Sequence, residues 1–322
     1  MGISYSVILP FMGQLRDRFS VYHADRPLAD KIALAASVEG MRGVEMVYPS
    51  EIADASAKAL LERHGLANSA VNVNIKGDPR WKRGALTNPD GELRAEAVRW
   101  ITAGMDLAAE LGSNLVTVCP LADGHDYPFE VDYSTAWRLA IDGLKAAADH
   151  RDDVRLSIEY KFSEPRSKVV IGNVGKALYA CEKIGRGNVG VTLDVGHALY
   201  AGESSAESIA LLADAGRLFL VHGNDNYRNW DWDLIPGTVN FFDLVEVSYM
   251  LQHVGYDGWL AFDVFPSRVD PVEAMNLSIR MTRLADAIVA KIGPARLEAA
   301  VAADDPLATL ELLRAAMAGG EG

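Results

Sequence analysis

Eight short runs of β-branched and apolar residues punctuate the chain: Ser4 to Leu9, Val44 to Tyr48, Ala70 to Ile75, Asn114 to Cys119, Arg155 to Tyr160, Val189 to Val195, Leu218 to Val221 and Trp259 to Val264. Between them apolar positions recur at helical spacing, as in Glu96 to Leu111, Ser134 to Asp149 and Asp270 to Val289. Eight strands alternating with helices predict an α/β fold, a single (β/α)8 barrel over residues 1–291. The glycines in Met41-Arg42-Gly43 and Gly255-Tyr-Asp-Gly258 read as turns that end helices and lead into strands. Residues 292–322 read as a C-terminal helical tail, rich in Ala and Leu, that packs on the surface or between subunits.

Two stretches break the regular spacing, Lys76 to Asp90 and Asn224 to Gly237, both rich in Trp, Asn, Asp and Pro. Long ordered loops on such a barrel gather at the carboxyl ends of the strands, where active sites are built. Composition agrees with a compact enzyme: 322 residues, 49% hydrophobic and 23% charged. A net charge of -13 argues against nucleic acid or an anionic membrane as partner, since both are bound through clustered Lys and Arg. No apolar run approaches a membrane span and the first residues lack a signal-peptide pattern, so a cytoplasmic location is expected. Cys119 and Cys181 form no paired motif and are expected to be reduced. Gly185-Arg-Gly-Asn-Val-Gly190 matches a dinucleotide fingerprint but precedes a strand, so it reads as a helix-to-strand turn.

The candidate chemistry lies at the ends of four runs. Glu159 closes Leu156-Ser-Ile158, Asp194 closes Val191-Thr-Leu193, His222 follows Leu218 to Val221, and Asp263 follows Trp259 to Phe262. Burying one such group is costly without a compensating cation. Four in register on successive strands point to one shared metal site. Three carboxylates and an imidazole without thiolates favour an octahedral divalent ion, with Mn²⁺ first and Co²⁺ or Mg²⁺ as alternatives.

In order along the chain, Glu159-x-Lys161-x-x-Glu164-Pro165-Arg166, Asp194-Val-Gly-His197, Asp231-Trp-Asp233-Leu234 with Gly237, and Phe262-Asp263 resemble the signature of the xylose isomerases. Leu86-Thr-Asn-Pro-Asp90 to Ala109-Glu-Leu-Gly112 and Ala122-Asp-Gly-His-Asp-Tyr-Pro128 are similar to the matching regions of xylose and rhamnose isomerases. The resemblance implies that Glu159, Asp194, His222 and Asp263 hold one ion that orients the hydroxyls of an open-chain sugar. It also implies that Asp231, Asp233 and His197, with Glu164 at the edge, hold a second, and that Lys161 donates to the carbonyl oxygen. The implied reaction is aldose-ketose isomerisation by hydride shift, with Lys161, His197 and Asp231 catalytic and one or two ions per chain.

Two departures bear on the substrate. The second strand ends Met46-Val-Tyr48-Pro-Ser-Glu51, without the histidine that xylose isomerases carry there. Asp194 and His222 look more like rhamnose isomerase. Trp81, Tyr127 and Trp230 are read either as an apolar wall for a sugar or as packing anchors, and His125 as a loop residue near the mouth. The expected partners are a small-molecule sugar and a second copy of the chain, as a dimer or tetramer. Competing readings on this fold are a ketose 3-epimerase, which uses carboxylate bases and one ion, and a metal-dependent C-glycoside-cleaving lyase. An abasic-site endonuclease fits poorly with seven His and the acidic charge, and a non-catalytic barrel has no use for the carboxylate cluster.

Overall fold

In a computed structural model, which describes residues 2–164 and 167–318, eight parallel strands close into a barrel. They are β1 (Ser4–Ile8), β2 (Met41–Tyr48), β3 (Ala67–Val73), β4 (Leu115–Val118), β5 (Arg155–Glu159), β6 (Val189–Asp194), β7 (Leu218–Gly223) and β8 (Trp259–Phe262). Each pairs with the next in sequence, and β8 closes on β1. The helices are α1 (Leu28–Ser37), α2 (Lys58–His64), α3 (Gly91–Leu111), α4 (Tyr133–Ala148), α5 (Val174–Ile184), the buried α6 (Val195–Tyr200), α7 (Ser205–Asp214), α8 (Phe241–His253) and α9 (Pro271–Ile292). Two further helices follow, α10 (Pro294–Ala302) and α11 (Pro306–Met317). Among the described residues no helix is long and apolar enough to cross a membrane.

All eight apolar runs are strands, yet Gly43 is not the turn its sequence suggested. It sits inside β2, where a Cβ would stand 2.9 Å from the Ala67 carbonyl oxygen and the Trp259 ring. Close approach of neighbouring strands, rather than chain reversal, requires that glycine. Gly255 does turn the chain after α8, with φ of +66°. Gly185 ends α5 in the left-handed region just before β6, so the glycine-rich segment is a helix-to-strand turn. Helix α3 begins five residues before its apolar periodicity does, because the Asp90 side chain accepts the Glu92 amide and starts the helix there.

The apolar core lies between the strands and the helical ring, with Val7, Val44, Met46, Val71, Val116, Ile158, Val191 and Val221 fully buried. Inside the barrel the residues are partly polar. Glu45 of β2 hydrogen-bonds His222 of β7, a contact that crosses the interior because β1 and β8 stand between those strands. Both cysteines are buried and unpaired.

One packing point can be tested without reference to function. A Cβ on Gly190 of β6 would lie 2.5 Å from the Phe219 ring, which is stacked under the Arg155 guanidinium 5.0 Å from its centroid. Gly190→Ala is therefore expected to destabilise the fold by about 1–3 kcal/mol, the usual range for overpacking. Denaturant midpoints measure this, and an unchanged midpoint would show that the ring swings aside freely.

Candidate metal centre

The register of the barrel sets the four candidate ligands at one level. Asp194 ends β6 directly opposite His222 of β7, and Thr192 pairs with Glu159 at the end of β5. Asp263 follows the last residue of β8. One oxygen or nitrogen from each of Glu159, Asp194, His222 and Asp263 falls within 4.8 Å of the others. His222 Nδ1 is central: it lies 3.6 Å from Glu159 Oε1 and 3.7 Å from both Asp194 Oδ2 and Asp263 Oδ2.

A second group shares Asp194. Asp194, His197 and Asp231 also bring ligand atoms within 4.8 Å of one another. Local chemistry explains the shared position, since Asp194 caps the six-residue helix α6 by accepting the His197 amide at 2.8 Å, which turns that imidazole back over the carboxylate. His197 Nε2 lies 3.3 Å from Asp231 Oδ2, and its Nδ1 lies 3.3 Å from Glu159 Oε1. Asp231 also meets Lys161, whose ammonium is 2.8 Å from the same Oδ2 and is hydrogen-bonded to Glu164. Asp233 stands beside this group with φ of +48°, its Oδ1 3.5 Å from Asn224 Nδ2. The Pro165-Arg166 end of the motif lies outside the described residues.

The electrostatics of these residues fit a cation. Burial followed by Asp194 raises the Asp263 carboxyl to about 8, and burial followed by Asp231 and Asp263 raises Asp233 well above the carboxylate range. Asp194 is raised for the same leading reason, burial. Burial also opposes the charge on Glu159, but the His222 imidazole, followed by His197, outweighs it and holds that carboxyl low. Burial would lower His197, yet Asp194 and Asp231 raise it to about 9. So many carboxylates in one buried space repel one another unless positive charge is shared among them, and imidazolium protons supply it only in part. Among the described residues His222 Nδ1, His197 Nδ1 and Asp231 Oδ1 are buried without a hydrogen-bond partner. Orphaned donor atoms in a set of hard oxygen and imidazole ligands match what a divalent ion requires.

Several supporting residues escaped the sequence reading. Glu45 is fully buried and accepts hydrogen bonds from Asn72 Nδ2 at 2.9 Å, Thr117 Oγ1 at 2.8 Å and His222 Nε2 at 3.0 Å. This fixes the tautomer of His222 and leaves Nδ1 facing the carboxylates. Asn224 donates to both oxygens of Asp194, at 3.1 and 3.0 Å, and accepts the Gly196 amide at 2.6 Å. Lys76, half-buried just after β3, is a further cation of the site. Burial works against its charge, but Cys119, Glu159 and Asp263 hold its pKa above the ordinary value. A glutamate inside an otherwise apolar strand, Gly43-Val-Glu45-Met-Val, was the available signal for Glu45.

The aromatic candidates separate. Trp230 stands beside the centre, its ring centroid 5.9 Å from Lys161 Nζ and 5.7 Å from the Tyr200 ring. Trp81 is 1% exposed and packs edge-on against Trp100 of α3, and it also lines a cleft between the loop after β3 and the segment before α4. Tyr127 is 69% exposed on its loop, and His125 packs edge-on against Tyr133.

A closed parallel barrel with carboxylates and imidazoles gathered at the carboxyl ends of its strands defines a barrel enzyme with a candidate metal centre. The chain belongs to the xylose isomerase-like TIM barrel family, whose profile matches residues 32–285. It is 28% identical over 275 residues to a xylose isomerase of Thermus thermophilus, spanning 83% of this chain and 71% of that protein. Solved structures of like fold include a D-allulose 3-epimerase from Methylomonas sp., at 17% identity and a TM-score of 0.70 over 88% of this chain and 96% of that one. Another is a xylose isomerase domain protein from Alicyclobacillus acidocaldarius, at 18% identity and a TM-score of 0.67 over 89% and 98% of the two chains.

Proposed function

We propose that the protein is a metal-dependent aldose-ketose isomerase that moves hydride between adjacent carbons of an open-chain sugar. Family membership and the Thermus thermophilus relative support the coarser statement, an enzyme that isomerises or epimerises sugars. The observation that carries the finer one is the second ligand group, Asp194, His197 and Asp231, with the Lys161 ammonium 2.8 Å from Asp231. Chemistry through one ion does not require that second group, which favours the isomerase over the epimerase reading.

Glu159, Asp194, His222 and Asp263 would hold one ion, and Asp194, His197 and Asp231 with Asp233 beside them a second; Mn²⁺ is the expected metal, with Co²⁺ or Mg²⁺ as alternatives. Bound there, divalent ions would act as Lewis acids on the sugar's carbonyl and neighbouring hydroxyl. The chain's own groups do the rest. Lys161, held by Asp231 and Glu164, points a fixed donor at the oxygen where charge develops. Asp231, kept ionised against the cost of burial by His197 and then Lys161, holds that donor in place. Trp230 covers Lys161 on one side and keeps bulk water from it.

Chelation is expected to abolish turnover of aldoses and ketoses, and Mn²⁺ or Co²⁺ to restore it. An aldose deuterated at C2 should yield a ketose that keeps the label at C1. Label washed into solvent points instead to an enediol route, as in an epimerase, and turnover that persists without metal sinks the proposal.

A further inference from the structure

A cleft of about 680 Å³ opens beside the metal centre, between the loop after β3 and the segment joining β4 to α4. It falls within the range of about 300 to 1,000 Å³ usual for small-molecule pockets. None of Glu159, Asp194, His222, Asp263, His197 or Asp231 lines it, so its volume adds to the space over the reacting carbons. Lys76 joins the two. It lines the cleft, it makes no ion pair among the described residues, and Glu159 and Asp263 act on its charge.

The walls are complementary in chemistry. Lys76, Lys82 and Arg83 supply donors from one loop; Asp126, Glu130 and Asp132 supply acceptors from the other side. Asp78, on the first loop, adds a fourth carboxylate, so the cleft has no surplus of positive charge for a phosphate. Donors on one wall facing acceptors on the other, over the apolar surfaces of Pro79, Val131 and Leu139, match a neutral ring that carries hydroxyls around its edge. The buried His125 Nδ1, which has no partner among the described residues, adds a polar atom on the same rim. A lone open-chain monosaccharide bound at the metals leaves this cleft to water.

We propose that the cleft is a subsite for a second glycosyl unit, so that the substrate is a reducing sugar glycosylated on a hydroxyl remote from its carbonyl end. The inference rests on the isomerase reading of the neighbouring centre. Such a substituent leaves C1 and C2 free for the shift, so no additional chemistry is required. Lys76 donates to the linkage between the two units.

Calorimetry on the intact chain in Mn²⁺ buffer tests this with 1,4- and 1,6-linked reducing disaccharides, each against its own free monosaccharide and the corresponding sugar phosphate. At least one disaccharide is expected to bind about tenfold or more tighter than its monosaccharide, and Arg83→Ala with Asp126→Ala to bring that ratio toward one. Both substitutions fall on exposed loop residues and leave the core intact. Disaccharides that bind no tighter than free sugars overturn the subsite, as does a gain for the phosphate ester alone. A binding gain without isomerisation would defeat the isomerase reading and leave the subsite standing; isomerisation of free sugars with no gain would do the reverse.

Discussion

Lys161→Met is expected to lower turnover by about 10²- to 10³-fold while leaving Mn²⁺ affinity within about threefold of the parent. Methionine keeps nearly the length and volume of the lysine stem, so the 7% exposed site stays filled. What disappears is the ammonium placed against Asp231 and Glu164 at the edge of the second ligand group. If its role is to stabilise charge on the reacting oxygen, the loss falls on kcat rather than on substrate binding. A merely structural lysine gives a different outcome. Removing it strips Asp231 of a partner and lowers thermal stability, but activity per folded molecule survives. Steady-state kinetics with melting curves and metal titration on one preparation separate the two. A kcat within tenfold of the parent would sink the catalytic role of Lys161.

The barrel was legible in the sequence because each strand is short, apolar and β-branched, and each is followed by a helix with its own periodicity. The clustering of Glu159, Asp194, His222 and Asp263 at the ends of β5 to β8 was legible for a related reason: an acid or imidazole ending an apolar run is unusual without compensation. Residues whose role depends on contacts across the barrel were not. Glu45 sits mid-strand on β2 and touches His222 on β7, a pairing that exists only once the barrel is closed. Lys76 read as the start of a loop, and nothing in its neighbours places its ammonium near Glu159. Trp81 was ambiguous because an aromatic residue in a loop packs inward or lines a pocket with the same sequence signature, and here it packs on Trp100, nineteen residues away, while lining a cleft. Gly43 was misread because close strand approach and turn geometry both select glycine.

Glu45→Gln is expected to weaken metal binding by about 10- to 100-fold although Glu45 lies outside both ligand groups. Its two oxygens face different donors: Oε1 accepts from Asn72 and Thr117, Oε2 from His222 Nε2. A glutamine amide cannot accept on both sides. With its NH₂ toward Asn72, two donors oppose each other in a buried space, at a cost of about 1–3 kcal/mol. With its NH₂ toward His222, the imidazole must accept at Nε2 and carry its proton on Nδ1, the atom 3.6 to 3.7 Å from three carboxylates. A protonated Nδ1 cannot ligate a metal, so either orientation reaches the centre through one of two routes. Metal titration and thermal melting, with and without Mn²⁺, distinguish them: the first orientation lowers the melting temperature in both conditions, the second mainly removes the rise that Mn²⁺ produces. Mn²⁺ affinity unchanged within twofold in Glu45→Gln would mean that His222 is not held for metal by Glu45, and the four-residue group would then lose its central ligand.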